Sequence, residues 1–462
     1  MAGVTLTITE DQHRNLRDHL FPSDGLEAVA LLLCGRRHGL RKRLVAREIV
    51  CIPYGECERS IDQVTWHTDR LPALLERAEK RGLAVLKIHG HRTLRTFSQS
   101  DDVSDRRLFP SLYGWLGDDF PLGSLIMMED GELLGRTCSP QGHFEAFERL
   151  AVVGDDLKIW VNNEASKEIP AFGERVAQSF GKGTFALLRT LKIGVVGVSG
   201  TGSPVIEMLA RNCVGSLVLI DPDTIEQRNL NRILNATMAD AEAETPKVET
   251  LRRAIAAMGL GTRIEIFQKT LFDREVVEAL ADCDILFGCM DSVDGRHLLN
   301  RLASFYAIPY FDLGVRLDAD GHGGVEQVCG SVHYVKPGGS SLLSRRVYTA
   351  EQLRAAGLRR SDPNAYRDLL AEGYIKGVPE DRPAVIQLNM LIASFAVNEL
   401  LARLHPYRLD PNGEFAVRRI SLSHDIFESA GDGDPCPALA KHLGRGDVEP
   451  LLEWPELSKR AA

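Results

Sequence analysis

Residues 194–208 read GVVGVSGTGSPVIEM. The apolar run breaks at Gly197, Gly200 and Gly202 and then resumes at the spacing of a helix. A strand, a tight glycine turn and a helix in this order form the phosphate-binding element of doubly wound α/β folds, because the turn brings backbone N–H groups close to a phosphate. The glycines alone do not identify the nucleotide that such a turn would hold.

The pattern around this turn predicts a Rossmann-like, doubly wound α/β domain. From Leu191 onward, short apolar runs alternate with amphipathic segments, which is typical of a parallel sheet covered by helices. The expected strands are Ile193–Gly197, Ser216–Asp221, Arg263–Phe267 and Ile285–Cys289, and the expected helices are Ser203–Asn212, Val248–Met258 and Glu275–Leu280. We therefore assign residues 190–410 to this domain. Residues 411–462, with their Gly-, Pro- and Asp-rich stretch, form a C-terminal extension that we expect to be irregular.

Residues 1–150 have the pattern of a second α/β unit. Its expected strands are Ala28–Leu33, Leu44–Ile52, Leu83–Ile88 and Leu122–Met128, and its expected helix is Leu71–Lys80. Residues 151–189 join the two units through a polar connection at Asn162–Glu168 and an amphipathic helical segment at Phe172–Leu188. At 462 residues, the chain is long enough for such a division into domains.

Composition argues against several classes of protein. The net charge of −9 disfavours a nucleic-acid-binding protein, because phosphate backbones attract basic surfaces. Nine scattered cysteines fit a reducing compartment better than a disulfide framework. The segment MAGVTLTITEDQH has no secretory pattern, and the apolar run Ala384–Leu404 carries polar residues that suit a core helix and not a membrane span. We expect a cytoplasmic protein.

Charged and amide side chains follow the strands on either side of the glycine turn. Asp221 ends the run SLVLID, where the acid of a dinucleotide-binding domain binds a ribose. The loop DPDTIEQRNLNR at 221–232 adds Asp223, two asparagines and two arginines, and Lys247 opens a later helix. Asp291 ends the run DILFGCMD, at the edge where α/β sheets bind their ligands.

These side chains favour a triphosphate over a nicotinamide dinucleotide. Arg232 and Lys247 would neutralise the charge that develops on the β- and γ-phosphates, and Asp291 would hold Mg²⁺. A hydride-transfer site needs none of these groups. ATP is therefore the expected ligand, with a nicotinamide-dependent oxidoreductase as a minor alternative.

The segment from Phe172 to about Leu404 resembles the adenylation domain of the ubiquitin-activating-enzyme superfamily. These ThiF/MoeB-type enzymes include the adenylyltransferases of thiamine and molybdopterin synthesis. Their pattern GxGGxG, D-x-D, NLxRQ, PK and C-x-D appears here as GVSGTG, Asp221-Pro-Asp223, NLNRI, Pro246-Lys247 and Cys289-Met-Asp291. Two departures from the pattern are Ser199, which replaces the middle glycine, and Ile233, which replaces the usual glutamine.

This resemblance implies roles for individual residues. Asp221 would bind the ribose, and Asn229, Arg232 and Lys247 would bind the phosphates. Asp291 would coordinate Mg²⁺. The arginine that these enzymes pass across a homodimer interface onto the partner's ATP is matched by Arg175, in FGERVAQSFG. The remaining members of the implied nucleotide site are Gly197, Gly200, Gly202 and Asp223.

The resemblance also implies a reaction and a partner. In this superfamily, the C-terminal carboxylate of a ubiquitin-like protein ending in glycine attacks the α-phosphorus of ATP, giving an acyl-adenylate and pyrophosphate. Many members then pass the acyl group to a cysteine of their own, and a conjugating enzyme is a further partner. The corresponding stretch here, Gly338–Pro383, has no cysteine. Cys329, in an apolar run, and Cys436, in a stretch that we expect to be mobile, remain open candidates for a thioester.

The stretch KIHGHRTLRTFSQSDD at 87–102 indicates a metal site in the first unit. His89 and His91 are two residues apart, so on a strand both imidazoles face the same side and can bind one metal. A carboxylate, Asp101 or its neighbour Asp102, follows shortly. Two histidines and one carboxylate leave a fourth position for water, which is typical of a catalytic zinc site.

This arrangement resembles the JAMM (MPN-domain) metalloproteases, whose pattern is an early Glu, then HxHP, then SxxD. By this resemblance, Glu27 would activate a zinc-bound water and Ser98 would stabilise the oxyanion. Arg92 replaces the usual proline, and the gap between His91 and the serine is one residue short. We prefer Asp101 as the ligand because it keeps the SxxD spacing. The alternative is a domain without activity that serves for docking.

Together the two resemblances predict an α/β protein with a JAMM-type unit followed by a Rossmann-like adenylation domain. One unit would trim the C-terminus of a ubiquitin-like protein or remove that protein from conjugates, and the other would adenylate the exposed carboxylate. The expected ligands are ATP, Mg²⁺ and Zn²⁺. The alternative is an adenylyltransferase that activates a sulfur-carrier protein or a peptide in biosynthesis, beside an inactive JAMM domain. A non-enzymatic scaffold is a third interpretation.

Overall fold

The computed structural model describes residues 3–162, 169–319, 322, 324–371 and 385–459. The chain divides into two compact units. The N-terminal unit comprises Met1–Glu164, Phe305–Ala307 and His442–Val448, and the C-terminal unit comprises Ala165–Ser304, Ile308–Lys441 and Glu449–Ala462. Except for its first residue, the polar connection expected at Asn162–Glu168 lies outside the described residues, as does the last part of Gly338–Pro383.

The N-terminal unit is a mixed α/β structure. Its strands are β1 (Val4–Thr9), β2 (Val29–His38), β3 (Lys42–Cys51), β4 (Cys57–Arg59), β5 (Val64–Trp66), β6 (Ala84–His91), β7 (Leu122–Met128), β8 (Leu133–Cys138), β9 (Phe144–Ala146), β10 (Arg149–Val153) and β11 (Leu157–Val161). Its helices are α1 (Glu10–Leu20), α2 (Leu71–Arg81) and α3 (Gln99–Leu116). The main sheet has the order β11-β10-β1-β3-β2-β6-β7-β8-β9, and β4 pairs with β5. The four strands and the helix expected here are confirmed, with ends that differ by a few residues.

A buried ion pair fixes α3 against β6. The Lys87 ammonium donates to one carboxylate oxygen of Asp105, which is fully buried. The other oxygen of Asp105 accepts hydrogen bonds from Arg136 at 2.8 Å and from Ser124. Side chains two residues apart on a strand share a face, as do side chains four residues apart on a helix. The Lys87–Asp105 pair therefore brings His89 of β6 and Asp101 of α3 to the same side.

The C-terminal unit is built around a second sheet of the order β14-β13-β12-β15-β16-β17-β18-β19. Its strands are β12 (Lys192–Val196), β13 (Ser216–Ile220), β14 (Arg263–Phe267), β15 (Ile285–Gly288), β16 (Tyr310–Ala319), β17 (Val325–Val335), β18 (Val417–Ser421) and β19 (Ile426–Ala430). Strands β14, β13, β12, β15 and β16 pair in parallel, whereas β17, β18 and β19 each pair antiparallel with the preceding strand of the sheet. This part of the sheet is Rossmann-like, as the sequence predicts.

The helices that begin in the C-terminal unit cover this sheet or follow it. They are α4 (Glu174–Leu188), α5 (Gly202–Arg211), α6 (Met238–Glu242), α7 (Lys247–Met258), α8 (Arg274–Ala281), α9 (Val293–Tyr306), α10 (Ala350–Ser361), α11 (Pro363–Ala371), α12 (Ile386–Leu404) and α13 (Pro437–Ala440). The core helix expected within Ala384–Leu404 is confirmed as α12, most of whose residues are buried. Among the helices that the structure describes, none has the length and hydropathy of a membrane span.

The expectation of an irregular tail after about Asp410 is wrong for part of the segment. Strand β18 pairs with β17, from Cys329 opposite Ser421 to His333 opposite Val417, and β19 extends the sheet by one more strand. The segment VRRIS carries only two buried residues, so its local pattern lacks a long apolar run. The edge of β17, distant in sequence, supplies the pairing that makes it a strand.

Candidate functional site

Contacts within the C-terminal unit explain the three glycines of the turn between β12 and α5. Gly197 has a φ of +90°, and a Cβ there would lie 2.6 Å from the carbonyl oxygen of Cys289. A Cβ on Gly202 would overlap the carbonyl oxygen of Gly197, and one on Gly200 would overlap the side-chain amide of Asn389. Only glycine fits at Gly197 and Gly202, where the contacts are with backbone, and the absence of a side chain lets the turn approach a ligand closely.

The carboxylate of Asp221 holds the turn from the neighbouring strand end. Its Oδ2 accepts a hydrogen bond from the N–H of Val198 at 2.7 Å, and its Oδ1 accepts one from the N–H of Asp223 at 3.0 Å. Burial raises the pKa of Asp221 above its usual range, although the charge of Lys247 acts in the opposite direction. The Lys247 ammonium lies 2.7 Å from Oδ2 of Asp223 and 3.8 Å from Oδ1 of Asp221.

The loop beyond Asp223 carries two more of the expected residues. Asn229 is buried, and its Oδ1 accepts a hydrogen bond from the N–H of Glu226 at 3.1 Å. Arg232 donates to the carbonyl oxygen of Arg228 at 2.7 Å, and its Cδ lies 3.3 Å from the position of a Cβ on Gly200. Burial, followed by the charge of Arg228, lowers the pKa of Arg232. A half-buried guanidinium beside a glycine turn is suited to an anion.

Asp291 and Arg175 differ in their relation to this turn. Asp291 is exposed three residues after the end of β15, whose last residue, Gly288, pairs with Val196 at the end of β12. The structure therefore brings Asp291 to the same sheet edge as the turn. Arg175 lies on α4 and donates to Gln178 of the same helix at 3.0 Å. The structure describes one copy of the chain and does not bring Arg175 into this cluster.

Two residues near this edge, Asn389 and Asp312, escaped the sequence analysis. Asn389 reaches the turn from α12. Asp312 on β16 is opposite Gly288 in the sheet, and its Oδ1 accepts hydrogen bonds from Arg296 at 3.1 Å and from Tyr310 at 2.8 Å. Burial raises the pKa of Asp312, whereas Arg296 acts to lower it. No local motif marks these residues, because each lies on another element and acts through contacts that are distant in sequence.

The two cysteine candidates have different surroundings. Cys436 was expected in a mobile stretch, but it is only 2% exposed, and its N–H donates to the carbonyl oxygen of Gly339 at 3.0 Å. That expectation is wrong, because Cys436 is the N-cap residue of the short helix α13 and packs inward. Cys329 is partly exposed within β17, opposite Arg316 and Ser421. All nine cysteines lie in the described part of the chain, and all are free thiols.

The N-terminal unit brings His89, His91 and Asp101 together. Nε2 of His89 lies 3.0 Å from Nε2 of His91 and 3.0 Å from Oδ1 of Asp101, and Nε2 of His91 lies 3.6 Å from Oδ2 of Asp101. Both histidines are buried at the end of β6. The neighbouring Asp102 instead forms an ion pair with Arg136. Of the two adjacent carboxylates, Asp101 is the one that joins the histidines.

The protonation states in this cluster suit a divalent cation. Burial lowers the pKa of His89 and thereby favours its neutral imidazole, although the hydrogen bond with Asp101 acts in the opposite direction. Burial opposes ionisation of Asp101, yet the contacts with His89 and Ser98 hold its pKa well below the usual range. Neutral imidazole and ionised carboxylate are the forms that bind metals. The three ligand atoms lie within 4.8 Å of one another, so the donor set fits Zn²⁺ or a similar ion.

Glu27 and Ser98 both interact with Asp101. Burial, followed by the negative charges of Asp101 and Asp62, raises the pKa of Glu27 to about 7. A carboxyl group with such a pKa can accept and release a proton near neutrality. Ser98 caps α3, and its hydroxyl donates to Oδ2 of Asp101 at 2.7 Å. Arg92, which replaces the usual proline, donates to Glu129 at 2.8 Å.

Comparisons with known proteins concern mainly the C-terminal unit. A family model, that of the ThiF family, matches residues 173–429, more than half of the chain. A SAMP-activating enzyme E1 of Haloferax volcanii is 31% identical over 122 residues, covering 26% of this chain and 44% of that protein. A molybdopterin-synthase adenylyltransferase of Haemophilus influenzae is 31% identical over 122 residues, covering 26% of this chain and 49% of that protein.

A third relative extends over more of the chain. The ubiquitin-like modifier-activating enzyme 5 of Drosophila ananassae is 26% identical over 289 residues, covering 58% of this chain and 68% of that protein. The chain spans less than half the length of the first two relatives that it matches.

The contacts of the glycine turn predict opposite effects for two Gly→Ala substitutions. Gly202→Ala should lower the free energy of unfolding by about 1–3 kcal/mol, because its Cβ would meet a backbone oxygen that cannot move aside. Gly183→Ala, on an exposed part of α4 with open space around it, should raise stability by about 0.5–1 kcal/mol. Urea unfolding of the full chain measures both. A Gly202→Ala variant as stable as the Gly183→Ala variant would contradict this account of the turn.

Proposed function

Because this chain belongs to the ThiF family, we propose that its C-terminal unit adenylates the C-terminal carboxylate of a ubiquitin-like or sulfur-carrier protein at the expense of ATP. The observation that carries the proposal is the convergence of the glycine turn, Asp221 and Lys247 at one sheet edge. A buried acid bonded to the turn can bind a ribose, and the lysine beside it can neutralise the charge of a triphosphate. The names of the relatives, an E1 and an adenylyltransferase, support the same chemistry.

In this proposal, the C-terminal unit acts by binding and positioning. The N–H groups of the turn and the N-terminus of α5 face the phosphates, while Asp221 accepts hydrogen bonds from the ribose. Lys247 and Arg232 neutralise the phosphate charge, and Asn229 belongs to the same loop. An oxygen of the partner's carboxylate forms a bond to the α-phosphorus, and pyrophosphate leaves with the electrons of the broken P–O bond. No side-chain nucleophile is needed for this step.

Magnesium has a candidate ligand at this edge. Asp291 is an exposed carboxylate just beyond β15, and oxygen ligands are those that Mg²⁺ prefers. When bound, Mg²⁺ would offset the negative charge of the phosphates. Asp291 would fix the position of that charge relative to the turn.

A second copy of the chain is part of the proposal. The guanidinium of Arg175 is exposed on α4 and hydrogen-bonds only Gln178 among the residues that the structure describes. In a homodimer, this guanidinium would reach the ATP of the partner subunit. A conjugating enzyme would be a further partner if the acyl group is passed on, with Cys329 or Cys436 as the open thioester candidates.

For the N-terminal unit, we propose a zinc-dependent peptidase or isopeptidase of the JAMM type that acts on the same partner. His89, His91 and Asp101 would hold Zn²⁺, which would supply a polarised water. The carboxyl group of Glu27, with a pKa of about 7, would accept a proton from that water, and Ser98 would face the oxyanion. The functional limits would be residues 1–150 for this activity, 151–189 for the connection, 190–410 for adenylation and 411–462 for an extension.

One observation favours an alternative in which the N-terminal unit has no peptidase activity. The Ser98 hydroxyl, the group expected to stabilise an oxyanion, already donates to Asp101 and caps α3. The protein would then be an adenylyltransferase that activates a sulfur-carrier protein or a peptide in biosynthesis. Its partners would include a sulfur donor instead of a conjugating enzyme.

ATP–pyrophosphate exchange tests the adenylation reaction. With a panel of ubiquitin-like proteins ending in Gly-Gly, we expect exchange that depends on one partner. Asp291→Asn should reduce that exchange at least about 100-fold, because the metal loses its protein ligand. Asp410→Asn, which changes an exposed acid of the same unit, is the matched control. Exchange that is equal in both variants would contradict the role of Asp291, and absence of exchange with every partner would refute this substrate class.

Two adjacent carboxylates provide a matched test of the metal site. Asp101→Asn should weaken Zn²⁺ binding at least about 100-fold, because it removes a ligand, whereas Asp102→Asn should leave it within about threefold. Isothermal titration of the full chain with Zn²⁺ measures both. Equal losses in the two variants, or Zn²⁺ affinity unchanged by Asp101→Asn, would contradict the assignment.

A further inference from the structure

Asn389 is a buried amide on an otherwise apolar part of α12. It is 1% exposed, and its Nδ2 has no hydrogen-bond partner among the described residues. Its buried neighbours on the helix are Leu388, Ile392 and Ala393. An amide donor left unpaired in such surroundings destabilises the fold, so packing alone would favour an apolar side chain here. Buried donors without a partner are rare in folded proteins, and a bound ligand can supply the missing acceptor.

The amide of Asn389 lies against the glycine turn. A Cβ built on Gly200 would meet Nδ2 of Asn389 first, its Cγ at 3.0 Å and the Cδ of Arg232 at 3.3 Å. The amide and the stem of the arginine therefore flank the same glycine. The unpaired N–H groups are beside the backbone segment to which the proposed function assigns the phosphates.

We propose that Asn389 is a further nucleotide-binding residue, whose side-chain N–H donates a hydrogen bond to a phosphate oxygen held at the turn. The amide nitrogen is a donor without acceptor capacity, and an anionic oxygen is the acceptor with which it bonds most strongly. Lys247 and Arg232 supply charge, whereas a rigid neutral amide on a core helix supplies direction. This inference rests on the proposed function, because it requires that the turn bind ATP.

The test compares two Asn→Asp substitutions on the same helix. Asn389→Asp is nearly isosteric but places a carboxylate against the phosphates, so it should raise the Kd for Mg²⁺–ATP at least about 10-fold. Its effect on adenosine, which has no phosphate, should be less than about twofold. Asn398→Asp, on an exposed part of α12, is the control for the added charge and should bind both ligands like the wild type.

Asn389→Ala is a second variant that keeps the inference testable if Asn389→Asp does not fold. It removes the donor without adding charge, and it should weaken Mg²⁺–ATP about 5- to 10-fold while leaving adenosine unchanged. Equal weakening of ATP and adenosine would show that Asn389 only supports the fold, and unchanged ATP affinity would show that its amide does not contact the phosphates. Either result overturns the inference. A wild-type chain that binds no ATP refutes the proposed function itself, so the two failures are distinguishable.

Discussion

The hydrogen bond from the N–H of Val198 to the carboxylate of Asp221 is the constraint on which the nucleotide edge of the C-terminal unit depends. It ties the glycine turn, at the end of one strand, to the end of the neighbouring strand. The acid is buried, so its charge is costly unless it is hydrogen-bonded and paired. Backbone N–H groups and Lys247 satisfy it, and this arrangement positions both the turn and the lysine beside the same acid.

The N-terminal unit uses a similar device at its metal cluster. The Lys87–Asp105 pair is buried and also contacts Arg136 and Ser124. Lys87 lies two residues before His89 on β6, and Asp105 lies one helical turn after Asp101 on α3. Removing one partner of such a pair costs about 3–5 kcal/mol, so the pair strongly favours a single register of α3 on β6. That register brings Asp101 to the histidines and leaves Asp102 to Arg136. The choice between two adjacent carboxylates thus depends on an ion pair that lies deeper in the unit.

The sequence predicts those features that are written in local patterns. The alternation of strands and helices, the glycine turn and the strand ends at Asp221 and Asp291 are all visible in short windows. Asn389, almost 190 residues from Gly200, has no such signal, because only the packing of α12 against the turn reveals it. The strand β18 and the burial of Cys436 escaped for the same reason, since their partners are β17 and Gly339. Tertiary contacts decided each of these cases.

The most direct test of the central claim is a calorimetric comparison of nucleotides on the full chain. The account predicts that Mg²⁺–ATP binds, that NAD⁺ does not compete with it, and that Lys247→Met weakens ATP at least about 10-fold. The reason is that Lys247, beside Asp221, neutralises the additional negative charge of the ATP triphosphate, whereas NAD⁺ carries only a pyrophosphate diester and no terminal phosphate. Binding of NAD⁺ at this edge, with an affinity that is indifferent to Lys247→Met, would contradict the account.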